Sequence, residues 1–290
     1  MGKDEFVIRA MRYDEIDIAI AWAAQEGWNP GKCDAKSYAI ADPQGFLIGL
    51  LNDEPIAVIS AIKYDNSFGF IGFYIVKPEY RGQGFGYRIW QAAMAYLSGC
   101  NIGLDGVVEQ QDNYRKSGFE LAYRNIRYQG AFTAELLADK AEAFDGIVCD
   151  VADHDIQAYE KPFFPVCRDS FNHQWRVQPN ADALSIVNQG TITGYGVIRA
   201  CEEGYKIGPL YADNTDTAKA LIYALLGKVN PGTNESVIAF LDTPEPNQDA
   251  VQLAESLGMT KVFETARMYT ADEPKLPISQ TYGVTSFEIG

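Results

Sequence analysis

A chain of 290 residues that is 47% hydrophobic is long enough for two packed domains and too apolar for a disordered protein. Its net charge of −15 argues against a nucleic-acid-binding surface and favours a cationic partner such as an amine, while no apolar run of about 18 residues is present to span a membrane. The five cysteines (Cys33, Cys100, Cys149, Cys167, Cys201) are odd in number and scattered without a C-x-x-C, and Met1 to Glu5 leads into a strand without a signal peptide's apolar core. Both features point to reduced thiols and a cytoplasmic protein. His154 and His173 lack metal-ligand spacing, so no metal is expected.

Glu5 to Met11 reads as a first strand, and Asp14 is placed to cap a helix running to about Trp28, with Ile16, Ile20, Ala23 and Ala24 on one face. Asn29-Pro30-Gly31 breaks it. Cys33 to Ile40 is a second short helix. Gly45 to Leu51 and Glu54 to Tyr64 are strands joined by a hairpin turn at Asn52-Asp53. Phe68 to Val76 alternates aromatic and β-branched residues with glycines, as a buried strand does. Tyr87 to Leu97 then places Ile89, Trp90, Ala93, Met94 and Leu97 on one helix face. Asn101 to Val108 is a strand, Glu109 to Ser117 a short helix, and Phe119 to Tyr128 a final strand. Ala134 to Ala143 suits a connecting helix.

Between the strand and helix of the middle region lies Val76-Lys77-Pro78-Glu79-Tyr80-Arg81-Gly82-Gln83-Gly84-Phe85-Gly86-Tyr87. Three alternate glycines let the backbone turn its N–H groups inward, and the following helix contributes its positive end. Arg81 adds a fork-shaped cation, so the whole is a site for a phosphate or pyrophosphate. A nucleotide P-loop is disfavoured by the lack of Gly-Lys-Ser/Thr, and a dinucleotide Rossmann site by the glycine spacing.

At these residues the chain resembles the GNAT superfamily of N-acetyltransferases, whose acetyl-coenzyme A loop V-x-P-x-x-R-x-x-G-x-G/A is matched by Val76, Pro78, Arg81, Gly84 and Gly86. Tyr114-Arg115-Lys116-Ser117-Gly118-Phe119 is similar to the family's Y-x-K-x-G-F segment, and together the two motifs cover roughly residues 5 to 130. The resemblance implies that Ile75, Val76, Arg81, Gly82, Gln83, Gly84, Phe85, Gly86 and Tyr87 hold acetyl-coenzyme A. It further implies that the N–H groups of Ile75 and Val76 polarise the thioester carbonyl, and that Tyr114 protonates the departing thiolate. In one respect the chain departs from the family pattern: an asparagine expected seven residues before the tyrosine is Val107.

The second half reads as an imperfect copy of the first. A shift of 140 residues lays Gly118-Phe119, Tyr123 and Arg127 over Gly258-Met259, Phe263 and Arg267; shifts of 136 and 135 align Ile56 to Lys63 with Ile192 to Arg199 and Gly69-Phe70 with Gly204-Tyr205. In the copy, Asp216 and Lys219 stand where Arg81 and Gly84 would be, within an acid-rich helix start, so a second cofactor site is not expected. The fold class is therefore α+β, two tandem GNAT-like domains each with a mixed, mostly antiparallel sheet flanked by helices. The domains are expected at residues 1–130 and 146–290, with a linker at 131–145. Leu104-Asp105-Gly106-Val107, Arg168-Asp169-Ser170-Phe171 with Trp175, and the closing Ser286-Phe287-Glu288-Ile289-Gly290 are similar to features of tandem acetyltransferases with a diverged second domain.

Acetyl transfer also needs a base for the amine. Asp105, at a strand end, and Glu109, at a helix start, are the candidates; a turn-forming role for Asp105 and a helix-start charge for Glu109 fit equally. The acceptor pocket is expected between the halves, with Arg168, Asp213 and Asp242 as its polar groups. Tyr159, Phe163, Phe164, Phe171 and Trp175 fit core better than pocket. The expected activity is acetylation of a small-molecule amine by a monomer or homodimer. A protein-lysine acetyltransferase and a non-catalytic acyl-coenzyme A sensor are the alternatives.

Overall fold

The computed structural model describes residues 5–135, 137, 147–148, 151–229 and 236–290. In the first half, β1 (Phe6–Ala10), α1 (Ile16–Gln25), α2 (Asp34–Ala41), β2 (Phe46–Leu51), β3 (Glu54–Lys63), β4 (Phe68–Val76), α3 (Phe85–Tyr96), β5 (Asn101–Val107), α4 (Gln111–Lys116) and β6 (Glu120–Phe132) follow the expected order. The β2–β3 turn uses positive φ at Asn52 and Asp53, the backbone a tight two-residue hairpin requires. The first helix starts differently from the expectation. Asp14 does not cap it: residues 13–15 form a 3-10 turn ahead of the helix, and the Glu15 carboxylate reaches back to accept from the backbone N–H of Arg12 at 2.8 Å and from Arg9 at 2.6 Å. The connecting helix expected over 134–143 lies largely outside the described residues, as does Cys149.

The second half contributes β7 (Ile147–Val148), α5 (Asp153–Glu160), α6 (Asp169–Val177), β8 (Ala181–Asn188), β9 (Thr191–Ala200), β10 (Tyr205–Ala212), α7 (Thr215–Val229), β11 (Val237–Pro244), α8 (Gln248–Ser256), β12 (Thr260–Tyr269) and β13 (Thr281–Gly283). All strands join one sheet in the order β1-β2-β3-β4-β5-β12-β6-β11-β10-β9-β8-β7, with β13 on β10. Neighbours are antiparallel except β4–β5 and β10–β11. The order is a palindrome about the β12–β6 seam, each strand of the first half matched by its counterpart in the second. This is the internal repeat in three dimensions. At its centre the halves trade strands: β12 lies between β5 and β6, and β6 between β12 and β11.

Alternation along the strands sorts side chains onto two faces. Phe46, Ile48 and Val58 face α1 and α2, whereas Leu47, Ala57 and Ile59 face α3 and α4. The first of these layers continues into the second half. Trp175 and Phe171 of α6 pack there, with the Trp175 ring 6.0 Å from Tyr38 of α2. The expected aromatic set is thus mainly core. A separate core forms where α7 and α8 cover β10 and β11.

Candidate active site

β4 and β5 pair only from Phe68–Ile71 against Asn101–Leu104. Beyond Ile71 the two strands part. A bulge at Phe73, with φ of 46°, turns β4 away, and β5 continues along β12 instead. The parting leaves the β5-facing edge of residues 72–76 without a ladder partner in β5. An extended chain can pair there as an added strand.

A cavity of about 590 Å³ occupies this opening. At one end lie Arg81, Gly82, Gly84 and Gly86; Ile75, Val76, Trp90 and Tyr114 wall its middle; Arg127, Phe263, Phe287 and Glu288 close the other end. Gly84 sits at the N-terminus of α3 with φ of 86°, and Gly82 has φ of 75°, a left-handed backbone costly for other residues. These conformations direct successive N–H groups towards one point at the positive end of a twelve-residue helix. Arg81 donates to the Val76 carbonyl at 2.8 Å and pairs with Glu26 at the end of α1. The loop therefore fits a pyrophosphate, and the strand opening behind it fits the extended arm of an acyl-coenzyme A. Of the residues expected to hold the cofactor, Ile75, Val76, Arg81, Gly82, Gly84, Gly86 and Tyr87 border the cavity. The other two point elsewhere: the Gln83 amide caps the Glu79 carbonyl at 2.8 Å, and the Phe85 ring packs on Phe6 at 4.8 Å.

Tyr114 is 9% exposed, its ring 5.6 Å from Trp90. Burial, with the neighbouring Tyr74 adding to it, pushes its phenol well above the ordinary tyrosine value, so it is a proton donor at neutral pH. The two expected bases are placed otherwise. Asp105 borders the cavity, but Arg267 grips both its oxygens at 2.9 and 2.5 Å, and the Asn125 amide donates to Oδ1 at 2.8 Å. Its lone pairs serve an ion pair, which argues against proton abstraction. Glu109 lies exposed in the turn before α4, outside the cavity lining.

None of the three expected acceptor-binding groups borders the cavity. Asp242 lies behind it, fully buried and gripped by Arg127 at 2.6 and 2.7 Å; that cation holds its carboxyl below the ordinary range despite burial. Arg127, which does face the cavity, also donates to the Trp28 carbonyl at 2.7 Å. Asp213 is exposed on the second half. Arg168 clamps the last residues, donating to the Gly290 carbonyl at 2.7 Å and to Thr285 Oγ1 at 2.8 Å, with its guanidinium 3.8 Å from the Phe164 ring centre.

Those last residues follow a path that sequence reasoning missed. In the second half, β10 and β11 pair at Tyr205–Ile207 and Ala239–Leu241, then part as β4 and β5 do. This second opening is filled by the chain itself. β13 pairs with Leu210 and Tyr211, and Val284 donates to the Asp242 carbonyl at 2.8 Å. Asn214 caps the helix start that stands in for the cofactor loop, accepting from Thr217 at 2.9 Å. From the plugged opening the tail passes into the first cavity, where Phe287 and Glu288 become lining residues. In sequence Tyr282 to Gly290 reads as an apolar tail that returns to the sheet, but its path through the second opening into the cavity is not legible there.

Among known proteins, residues 13–119 match the family model described as acetyltransferase (GNAT) family, and residues 156–283 match that described as acetyltransferase (GNAT) domain. Over 282 residues the chain is 30% identical to the holothin acyltransferase of Pseudoalteromonas sp. (strain SANK 73390), covering 96% of this chain and 92% of that protein. The chain belongs to the GNAT acyltransferases. Its fold is that of a putative acetyltransferase from Pyrococcus horikoshii (TM-score 0.80, 22% identity, 100% and 98% of the two chains covered) and of a tandem GNAT protein from the clavulanic acid biosynthesis pathway (TM-score 0.65, 13% identity, 93% and 100% covered). As a GNAT acyltransferase it uses an acyl-coenzyme A co-substrate. Among the described residues there is no cluster of side chains suited to a metal and no helix long and apolar enough to cross a membrane.

Proposed function

We propose that the first half transfers an acetyl group from acetyl-coenzyme A to the primary amine of a small molecule. The observation that carries this is the single cavity running from the Gly82–Gly86 loop, past the free edge of β4, to an end closed by four separate segments: Trp28, Arg127 on β6, Phe263 and Thr265 on β12, and Phe287 with Glu288 on the tail. Such convergence favours a compact acceptor over a protein-lysine acceptor, which needs a groove for the flanking peptide. Trp90, Leu104 and Tyr114 crowd the wall facing β4, which favours a short acyl group.

The backbone N–H of Val76, on the edge of β4 turned away from β3, stabilises the negative charge that develops on the thioester carbonyl as the amine attacks; the Ile75 N–H points to β3, in register with the Lys77 N–H that donates to the Ile56 carbonyl. Tyr114 then donates its proton to the departing sulfur, whose free thiol has a pKa of about 8.5.

The test is coenzyme A release from acetyl-coenzyme A with a panel of acceptors: holothin, for which the Pseudoalteromonas relative is named, then aromatic amines, amino acids, polyamines and lysine peptides. Turnover is expected with small amines. Turnover on lysine peptides alone would replace the small-molecule reading, and none on any acceptor, with coenzyme A still bound, would make the protein a sensor.

A further inference from the structure

Three carboxylates line the cavity: Glu26, Asp105 and Glu288. Glu26 is engaged with Arg81 at the cofactor end, and Asp105 has both oxygens in its ion pair with Arg267. Glu288 differs. It is 4% exposed, and Ser286 Oγ donates to Oε2 at 2.5 Å, while Oε1 accepts no hydrogen bond among the described residues. Building on the transferase reading above, we propose that Glu288 is the group that takes the proton from the acceptor amine.

The tail holds this carboxylate as a catalytic group must be held, by its backbone rather than by a partner charge. Ser60 Oγ donates to the Glu288 carbonyl at 3.2 Å and Tyr64 donates to the Ile289 carbonyl at 2.7 Å. The Glu288 N–H donates to Ser286 Oγ at 3.0 Å, and Arg168 ties down Thr285 and Gly290 on either side. The strand beneath is shaped for it: a β-carbon built at Gly72 would collide with the Glu288 carbonyl oxygen. Glu288 thus lies against β4, the strand whose Val76 presents its N–H to the thioester. The charged and titratable groups within electrostatic reach of it are Arg127 on β6, Arg199 on β9, Lys206 on β10 and Tyr38 on α2.

The proton balance closes with Tyr114. The acceptor enters as an ammonium ion, R–NH3⁺, and Glu288 Oε1 takes one proton, directly or through one water, leaving R–NH2 and a neutral carboxyl. The nitrogen lone pair forms the C–N bond, and the C–S bond breaks with its electrons going to sulfur. Tyr114 protonates that sulfur, and the surplus proton on the new amide nitrogen returns to the phenolate. Glu288 releases its proton to solvent. The net products are the amide, the free thiol and one proton.

The experiment compares wild type and Glu288→Gln on the amine that wild type acetylates, across pH, with coenzyme A affinity measured by calorimetry. The expected result is a loss of about 10²- to 10⁴-fold in kcat/KM for the amine, the range for one acid–base group, with coenzyme A affinity within twofold of wild type. The deficit should shrink as pH rises towards the amine's own pKa, where the acceptor arrives already deprotonated. An unchanged kcat/KM, or a deficit constant across pH, overturns the proposal. Should Glu288→Gln fail to fold, as judged by its melting curve, Glu288→Asp decides. It keeps a carboxylate one methylene short and should retain part of the activity with the wild-type pH dependence, whereas activity lost entirely, even above the amine's own pKa, overturns the proposal. A wild-type protein that turns over no amine removes the transferase reading itself, and the base with it.

Discussion

Asp105 on β5 and Arg267 on β12 form a two-pronged ion pair, with Nε–Oδ1 of 2.9 Å and Nη2–Oδ2 of 2.5 Å, across 162 residues of sequence. Asp242 on β11 and Arg127 on β6 repeat it at 2.6 and 2.7 Å. The repeat relates the two arginines by 140 residues, and the two aspartates sit at matching positions on β5 and β11. In each pair the aspartate comes from one half and the arginine from the other. Both pairs lie at the seam where β12 and β6 cross between halves, and both are buried. The Arg267 guanidinium stays firmly protonated there: burial would lower its pKa, but Asp105 more than offsets this.

Arg267→Ala would leave Asp105 buried without its partner. It is expected to destabilise the fold by about 3–5 kcal/mol, the cost of breaking a buried pair from one side. Denaturant unfolding measures this; a loss under 1 kcal/mol would show that Asn125 and solvent suffice for Asp105.

Arg81→Glu places a carboxylate beside Glu26 where a pyrophosphate should sit. Losing a charge-assisted hydrogen bond costs about 1.5–3 kcal/mol, and reversing the charge adds to it, so coenzyme A affinity should fall at least about 100-fold. Calorimetry reads it directly, and wild-type affinity would show that the glycine loop binds without the guanidinium.

Tyr114→Phe retains the ring against Trp90 and removes only the proton. The expected outcome is a kcat lowered by about 100-fold or more, with coenzyme A affinity and melting temperature nearly unchanged. Undiminished kcat would leave Tyr114 as a packing residue.

Gly72→Ala should act at a distance from the cofactor loop. Its β-carbon meets the Glu288 carbonyl, so the tail must shift. Turnover should fall while coenzyme A still binds, with a stability loss of about 1–3 kcal/mol from overpacking. Full activity would mean that the tail's position against β4 is not needed.

Glu160, on α5, predicts a pH dependence of stability. Burial pushes its carboxyl up to about 7, with Asp169 adding and Arg176 and Arg168 opposing. A folded pKa raised above the unfolded value gives stability that is fully present below about pH 4.5 and lost as pH rises through 7. The shift corresponds to roughly 3 kcal/mol. Glu160→Gln should therefore flatten the decline in melting temperature between pH 5 and 8; an unchanged slope would assign that decline to other groups.

The strand, glycine loop and helix from Phe68 to Tyr96 were legible in the sequence because the parts are contiguous and each carries a local conformational preference. The repeat was legible for a related reason, since nearly constant offsets survive divergence. What local preference does not encode is partnership. Asp105 before Gly106 has the look of a turn former, and nothing in residues 101–107 indicates that Arg267 will grip it. Arg168 and Asp242 were expected as polar groups of the acceptor pocket, yet their partners lie in the tail and on β6 and neither borders the cavity. Glu288 sits in a short apolar run whose destination depends on a groove made by residues more than two hundred positions earlier. Only the assembled sheet shows that the groove exists.

The traded strands bear on why a copy without a cofactor loop persists. Since β12 is built in between β5 and β6, the first half cannot complete its own sheet without the second. The two halves exchange strands as the subunits of a domain-swapped dimer do, within a single polypeptide. A chain severed between residues 133 and 152 should reassemble from its two fragments, and neither fragment should fold alone.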